Sequence, residues 1–253
     1  MYVKQTKALR LFHNKIKQTL LNRYATDVSV LVDIGVGRGG DLFKWSRCKV
    51  RQVLAYDVDA VSVQEAVKRY ELACIDADYQ FYTCASMDWF VDTHVSHLVD
   101  RVPVISCQFA IHYFFQSEDM VDNLLMHVHR LLAPGGVFVG TFMNGDAICR
   151  LTDNLAHSFH NDAMMIQPKT DVVADFGTSI EVYLSDTLYF GEQSVSCEYL
   201  VRPAVFVDKA HQHGLSCIEV TPFESFHQSS GMSDDVKTCS FSYSTFVFKK
   251  QIS

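Results

Sequence analysis

The sequence predicts an α/β fold built on a seven-stranded, mostly parallel sheet with helices on both faces and an antiparallel last strand. Three patterns predict it. Short apolar runs alternate with segments of helical periodicity, the signature of parallel strands joined by crossover helices. The first apolar run ends in a cluster of glycines at a strand-to-helix turn. The final run, residues 241–249, follows its predecessor without a crossover helix, so it returns antiparallel.

The elements follow in order. Residues 7–24 place Leu9, Phe12, Ile16 and Leu20 on one face of a helix. Residues 28–34 (VSVLVDI) form a nearly continuous apolar run, as expected of a strand covered on both faces. A helix through Trp45, a strand at 51–57, a helix at 60–74 and strands at 79–84 and 102–109 come next. A helix at 118–132 stops at Pro134-Gly135-Gly136, where proline cannot continue it and glycine suits a left-handed cap. A strand at 137–142 follows. Residues 146–200 break the alternation with a helix and short pieces such as IEVYL and TLYF, and read as an insertion beside the sheet. Helix 201–213 and strand 215–221 restore the rhythm. With 253 residues, no internal repeat and no Gly/Ser linker, residues 1–253 read as one domain, of which 1–27 is an N-terminal helical segment.

Composition narrows the function classes. At 48% hydrophobic residues the chain can bury a sizeable core, and five prolines argue against extended disorder. No uninterrupted apolar run is long enough for a membrane span, and the first residues lack the apolar core of a signal peptide. The eight cysteines (48, 74, 84, 107, 149, 197, 217 and 239) form no CxxC pair, which argues against a zinc site and a disulfide framework. They read as buried reduced thiols, and no metal ligand set is expected. The net charge of -7 opposes a broad basic surface, so a nucleic-acid substrate would need a local cluster of lysines and arginines.

The first strand ends in Asp33-Ile34-Gly35-Val36-Gly37-Arg38-Gly39-Gly40-Asp41. Gly35, Gly37 and Gly40 fit the GxGxxG spacing of dinucleotide sites, and Asp57 lies where a carboxylate can hold both ribose hydroxyls. Asp33 makes the loop DxGxG. Together with Asp41 and Asp57 it surrounds the loop with negative charge, which repels a pyrophosphate and suits a sulfonium with an ammonium group. These features favour S-adenosylmethionine over a nicotinamide cofactor, or over a glycine turn with no ligand.

Longer motifs then agree with one family. VDIGVGRGGDLFKW, AYDVDAVSV and KRY resemble the cofactor region of eukaryotic and viral mRNA cap guanine-N7 methyltransferases. HNKIK at 13–17, CQFAIHYFF at 107–115, CEYLV at 197–201 and FSYSTFVFKK at 241–250 are similar to further segments of that family, in the same order. The resemblance spans nearly the whole chain and is thinnest over 146–190. It implies a Rossmann-like class I methyltransferase fold, with the insertion on the cap-binding side.

It also implies roles. Lys17, Asp33, Gly35, Gly37, Asp41, Asp57, Ser86 and Gln108 fall to S-adenosylmethionine. Arg38 and Arg69, with Lys17, fall to the triphosphate bridge. His13, Phe109, His112, Tyr113, Glu198 and Tyr243 fall to the cap guanosine. Three positions depart from the family. His13 stands for an asparagine, Met143 for a proline, and Ala85 for the acid near the adenine, leaving Ser86 or Asp88 as substitutes.

Guanine N7 attacks with a lone pair and has no proton to lose, so no catalytic acid or base is expected. His112, Tyr113 and Glu198 would orient the base instead. A carboxylate at Glu198 can accept from N1–H and N2–H, His112 can donate to O6, and Tyr113 and Tyr243 can stack. From the residues alone, Glu198 also reads as a solvated glutamate at a helix start, His112 as a core residue and Arg69 as a solvated helix residue. Two alternatives stand beside this activity: a small-molecule methyltransferase of the same fold, and a non-catalytic subunit. The implied partners are the capped mRNA 5′ end and guanylyltransferase or triphosphatase domains of the same polypeptide or complex. The implied location is cytoplasmic for a viral source, which the divergent motifs favour, and nuclear for a cellular one.

Overall fold

The computed structural model describes residues 2–84, 95, 97–184, 195–228 and 231–252, with side chains described from residue 7 onward. Ala85, Ser86, Asp88 and the TLYF run at 187–190 lie outside the described residues.

Seven strands form the main sheet: β1 (Val30–Ile34), β2 (Gln52–Asp57), β3 (Asp78–Thr83), β4 (Val102–Gln108), β5 (Leu132–Met143), β10 (Leu215–Pro222) and β11 (Tyr243–Lys250). Their spatial order is β10-β11-β5-β4-β1-β2-β3. β1 lies parallel between β2 and β4, and β4 is parallel to β5. β11 runs antiparallel to both β5 and β10, as the sequence predicts for the last strand. Strand order reverses between β1 and β4, and ligands of open α/β sheets bind in the crevice beyond the strand ends at such a point.

Apolar composition explains the layering. All five β1 residues are buried, so both faces of this strand are covered. Helix α1 (Tyr2–Tyr24) presents the predicted stripe of Leu9, Phe12, Ile16 and Leu20, all buried. The helices α2 (Leu42–Arg47), α3 (Ala60–Ala73), α4 (Glu118–Leu131) and α6 (Pro203–Gln212) complete the layers. Asp59 caps α3 and Ser117 caps α4 through side-chain acceptors, satisfying otherwise unpaired N–H groups.

Three expectations need correction. First, β5 starts at Leu132 rather than 137, running through Pro134-Gly135-Gly136. Its register shifts opposite Val102–Val104, and an added Cβ on Gly136 would meet Val102 O at 3.0 Å, so glycine permits the bulged start. Second, Phe241 ends a helix, α7 (Asp234–Phe241), capped by Ser233, and the last strand starts at Tyr243. A helix therefore does lie between β10 and β11. It is no crossover, because Pro222 pairs with Ser244 and the chain returns at the end it left. Third, Glu198 does not begin a helix. It lies on β9 (Ser196–Tyr199), the edge strand of a second sheet.

That second sheet is the insertion. After α5 (Gly145–Leu151), strands β6 (Phe159–His160), β7 (Met164–Pro168), β8 (Ser179–Leu184) and β9 pair antiparallel in sequence order. Its apolar residues Met164, Ile166, Ile180 and Val182 share a core cluster with Leu9, Phe12 and Ile16 of α1 and with Tyr243 of β11. α1 and the insertion thus frame the same side of the main sheet. Among the eight cysteines, all free thiols, Cys48, Cys84, Cys107 and Cys239 are buried as expected, while Cys74, Cys197 and Cys217 are exposed. No described helix is long and apolar enough to cross a membrane.

Candidate functional site

The strand ends at the order reversal assemble the first half of the site. Gly35 and Gly37 turn the chain out of β1 with φ of 78° and 51°, in the left-handed region that disfavours side chains. At Gly35 a Cβ would lie 2.4 Å from the Ala110 Cβ, so the loop and the end of β4 approach as only glycine allows. Asp57, ending β2, accepts the Gly37 N–H at 2.7 Å and the Asp59 N–H at 3.0 Å. The loop and the expected ribose carboxylate are therefore one hydrogen-bonded unit.

Asp33 and Asp41 are both buried, with opposite outcomes. Burial and the charge of Asp41 push the Asp33 carboxyl well above the usual carboxylate range, against a Ser106 hydrogen bond and Lys17. One Asp33 oxygen has no hydrogen-bond partner among the described residues. For Asp41, burial also raises the carboxyl, but Lys17 at 2.7 Å and Lys44 at 2.8 Å outweigh it and the net shift is downward. Sequence reasoning missed Lys44, whose position three residues after Asp41 on a helix was the available signal. Gln108, also buried, donates to Ser106 at 3.3 Å and accepts from Thr141 at 3.2 Å, which fixes its amide between two strands.

Phe109 links the two halves. It leaves β4 with φ 57°, strained for a non-glycine residue, and its N–H donates to Thr141 O at 3.0 Å. Lys17 Nζ sits 5.6 Å from the Phe109 ring centre. His13 stacks on the same ring at 5.4 Å and meets Tyr243 and Phe223 edge-on, with its Nε2 3.2 Å from Ser240 Oγ. Burial first, and Lys17 second, lower its pKa to about 3, so this imidazole is neutral. The structure thus puts His13 within an aromatic nest behind Phe109 and Tyr243, a placement the asparagine comparison did not foretell.

The second half is a polar cluster between the 3-10 turn Ile111–Gln116 and β9. His112 is 5% exposed, and neither ring nitrogen has a hydrogen-bond partner among the described residues. Its Nε2 faces Glu198 Oε2 at 3.7 Å, too long for a direct hydrogen bond. Burial lowers the His112 pKa, partly offset by Glu198. The Glu198 side chain is 12% exposed, and its other oxygen accepts from Ser196 Oγ at 2.6 Å. A solvated surface glutamate does not fit this placement. Tyr113 is 45% exposed as a residue, yet crowding around its hydroxyl first and Glu198 second push it up to about 12, with Asp57 adding to it and a Ser196 hydrogen bond opposing it. Tyr243 is raised further by burial, Cys239, Glu198 and Tyr113. The turn at 111–116 follows Gln108 and Phe109 within three residues of the end of β4, which makes the two halves neighbours.

Arg69, on α3, donates to the Arg38 carbonyl at 2.7 Å, so both arginines stand at the glycine loop. Ser196 was the second residue sequence reasoning missed. It sits two positions before Glu198 on one strand, and the two-residue period was its signal.

A carboxylate at the end of β2, a glycine turn and an unpaired buried oxygen on Asp33 fit a ligand carrying a ribose and a positive charge. Solved structures agree on the class. An S-adenosylmethionine-dependent methyltransferase from Clostridium acetobutylicum ATCC 824 matches with TM-score 0.59 at 12% identity, covering 99% of this chain and 92% of that one. The CcbJ methyltransferase from Streptomyces caelestis matches with TM-score 0.63 at 17% identity, covering 92% and 88%. The fold is that of the S-adenosylmethionine-dependent methyltransferases. Within that class, the chain belongs to the mRNA (guanine-N(7))-methyltransferase domain family, whose model matches residues 4–250.

Curated relatives include the mRNA cap guanine-N(7) methyltransferase of Schizosaccharomyces pombe, 31% identical over 226 residues, covering 85% of this chain and 61% of the relative. That of Drosophila melanogaster is 27% identical over 244 residues, covering 87% and 56%. The mRNA cap guanine-N(7) methyltransferase 1 of Oryza sativa subsp. japonica is 29% identical over 238 residues, covering 86% and 61%. The chain therefore spans 56% to 61% of the length of these relatives.

Proposed function

We propose that this chain transfers a methyl group from S-adenosylmethionine to N7 of the guanine cap, converting GpppN-RNA to m7GpppN-RNA. The observation that carries the reading is the nearly buried His112–Glu198 pair. A carboxylate and an imidazole, nearly buried and 3.7 Å apart, stand beside two tyrosines and one short step from the glycine loop. Family membership supports it independently.

The residues divide the work. Glu198 accepts from N1–H and N2–H, which adenine lacks, and its charge favours the positive ring formed on methylation. A neutral His112 donates one ring N–H to O6. Tyr113 and Tyr243 bracket the base, and Phe109 separates it from Lys17. On the donor side Asp57 holds the ribose hydroxyls. Lys17, Asp33, Gly35, Gly37, Asp41 and Gln108 shape the remaining walls, and Ser86 is proposed for the adenine. Arg38 and Arg69 meet the triphosphate. S-adenosylmethionine, when bound, supplies an electrophilic methyl on a sulfonium. Guanine N7 would attack that methyl carbon opposite the sulfur, so that the N–CH3 bond forms as the S–CH3 bond breaks and S-adenosylhomocysteine leaves with the electron pair; no side chain has to take a proton. Alignment of this kind lowers a barrier by on the order of 7–11 kcal/mol.

We treat residues 1–253 as one catalytic unit acting on the capped 5′ end, with guanylyltransferase or triphosphatase domains as its partners. The relatives come from Schizosaccharomyces pombe, Drosophila melanogaster and Oryza sativa, so a viral source and a cytoplasmic site gain no support from them. A cellular, nuclear setting accords with them better. The test is methyl transfer from S-adenosylmethionine to GpppA- and GpppG-capped RNA beside uncapped RNA. Equal labelling of capped and uncapped RNA rejects the reading.

A further inference from the structure

Helix α1 carries a charge balance opposite to that of the chain. It holds six of the 22 lysines and arginines (Lys4, Lys7, Arg10, Lys15, Lys17 and Arg23) and no aspartate or glutamate. The rest of the chain has 16 such cations against all 29 acids. Helix stability does not ask for this, because like charges one turn apart destabilise a helix.

Geometry orders part of that charge. Steps of three, four and three residues align Lys7, Arg10, Asn14 and Lys17 along one stripe, clear of the buried stripe of Leu9, Phe12 and Ile16. Lys7, Arg10 and Asn14 are exposed, whereas Lys17 is partly buried. Lys17 ends the stripe inside the site, 2.7 Å from Asp41 and 5.6 Å from the Phe109 ring centre. From Lys7 to Lys17 the helix rises about 15 Å. Arg23, near the other end of α1, is by contrast held by Glu219.

We propose that this stripe is the track for the first nucleotides of the single-stranded RNA that follows the cap. Phosphates pass Arg10 and Lys7 on the way out, and Asn14 hydrogen-bonds between them. The proposal rests on the cap reading of the His112–Glu198 pair, which sets where the strand begins. Cationic and amide side chains one helical turn apart, leading out of the site, suit a linear polyanion. Beside the stripe Leu11 is 61% exposed, a lone leucine rather than the cluster of large buried anchors on which protein interfaces centre. Phosphate contacts position a strand without reading its sequence, as an enzyme acting on many transcripts requires. The arrangement also reconciles an acidic protein with an RNA substrate.

The test compares the wild type, the double variant Lys7→Ala/Arg10→Ala and Lys15→Ala, a cation on the other flank of α1. Binding of uncapped single-stranded RNA of about 20 nucleotides, longer than common single-strand sites, is followed by fluorescence anisotropy across salt concentration. Each phosphate contact on a single strand contributes about 0.7 to the slope of log K against log salt, so the double variant loses about 1.4. Wild-type binding then falls about 7-fold more steeply than the variant's between roughly 50 and 200 mM salt. Methylation of a GpppG dinucleotide stays unchanged in the double variant, while KM for the capped RNA rises at low salt.

An unchanged slope, an equal loss in Lys15→Ala, or impaired dinucleotide methylation in the double variant overturns the track. Absence of wild-type methylation on both cap substrates, with the slope change intact, rejects the cap reading and with it the direction of the strand. The basic stripe would then stand as a general RNA contact, not the track proposed.

Discussion

Replacing Glu198 by glutamine isolates the carboxylate's charge from its shape. The side chain is 12% exposed, so solvent screens it little. The amide oxygen still accepts from Ser196 Oγ, 2.6 Å from Oε1 in the native protein, and β9 keeps its register with β8. What changes is the oxygen facing His112, which becomes an NH2 group turned toward the guanine donors. One charge-assisted hydrogen bond is lost and the other becomes neutral. At about 1.5–3 kcal/mol for a charged hydrogen bond and about 1 for a neutral one, the loss comes to roughly 2–5 kcal/mol. That corresponds to roughly 30- to 5,000-fold in kcat/KM for capped RNA. The assay is steady-state methylation of GpppG-capped RNA, with S-adenosylmethionine affinity measured separately by calorimetry. The expected pattern is a large fall in kcat/KM with cofactor affinity unchanged. A kcat/KM within threefold of wild type would refute the assignment of Glu198 to the base.

Three further outcomes are expected. Asp57→Ala removes the acceptor of the Gly37 N–H and the proposed ribose ligand, and weakens S-adenosylmethionine binding by about tenfold or more in direct titration. Gly35→Ala sets a Cβ 2.4 Å from that of Ala110 at φ 78°, costing on the order of 2–5 kcal/mol and lowering the thermal midpoint by roughly 5–15 °C. His13, whose folded pKa is lowered from 6.5 to about 3, binds its proton less tightly in the native state than in the unfolded one. Its stabilising share is therefore present above pH 6.5 and is lost as pH falls toward 3, reaching as much as about 3 kcal/mol near pH 4.5. His13→Asn should flatten the pH dependence of the urea midpoint across that window. An unaltered profile would remove the buried neutral histidine.

Local pattern revealed the parts of the molecule that local physics decides. The β1 run, the glycine turn and Asp57 lie within one strand–helix–strand unit, so spacing alone disclosed them. The antiparallel β11 was readable for the same reason, although α7 was not, because its eight residues are too few to show a periodicity beside the strand that follows. The contacts that shape the site join distant parts of the chain. His13 meets Phe109, Phe223, Ser240 and Tyr243 across four elements, and no short-range pattern anticipates such a nest. Glu198 looked like a surface residue in isolation because its burial depends on the turn at 111–116, some eighty residues earlier in the chain. The Lys17–Asp41 pair combines two residues expected to touch ligand separately, and shows that α1 is fastened to the glycine loop by charge.

The position of the transferred methyl tests the account most directly. GpppA-capped RNA is incubated with the protein and methyl-labelled S-adenosylmethionine, then digested to free the cap dinucleotide, whose methylated atom is identified by mass spectrometry and chromatography. Label is expected on guanine N7 alone, as m7GpppA, and none on the ribose of the adjoining nucleotide. Label on a ribose hydroxyl or on adenine, or no label on any capped substrate while S-adenosylmethionine still binds, would contradict it.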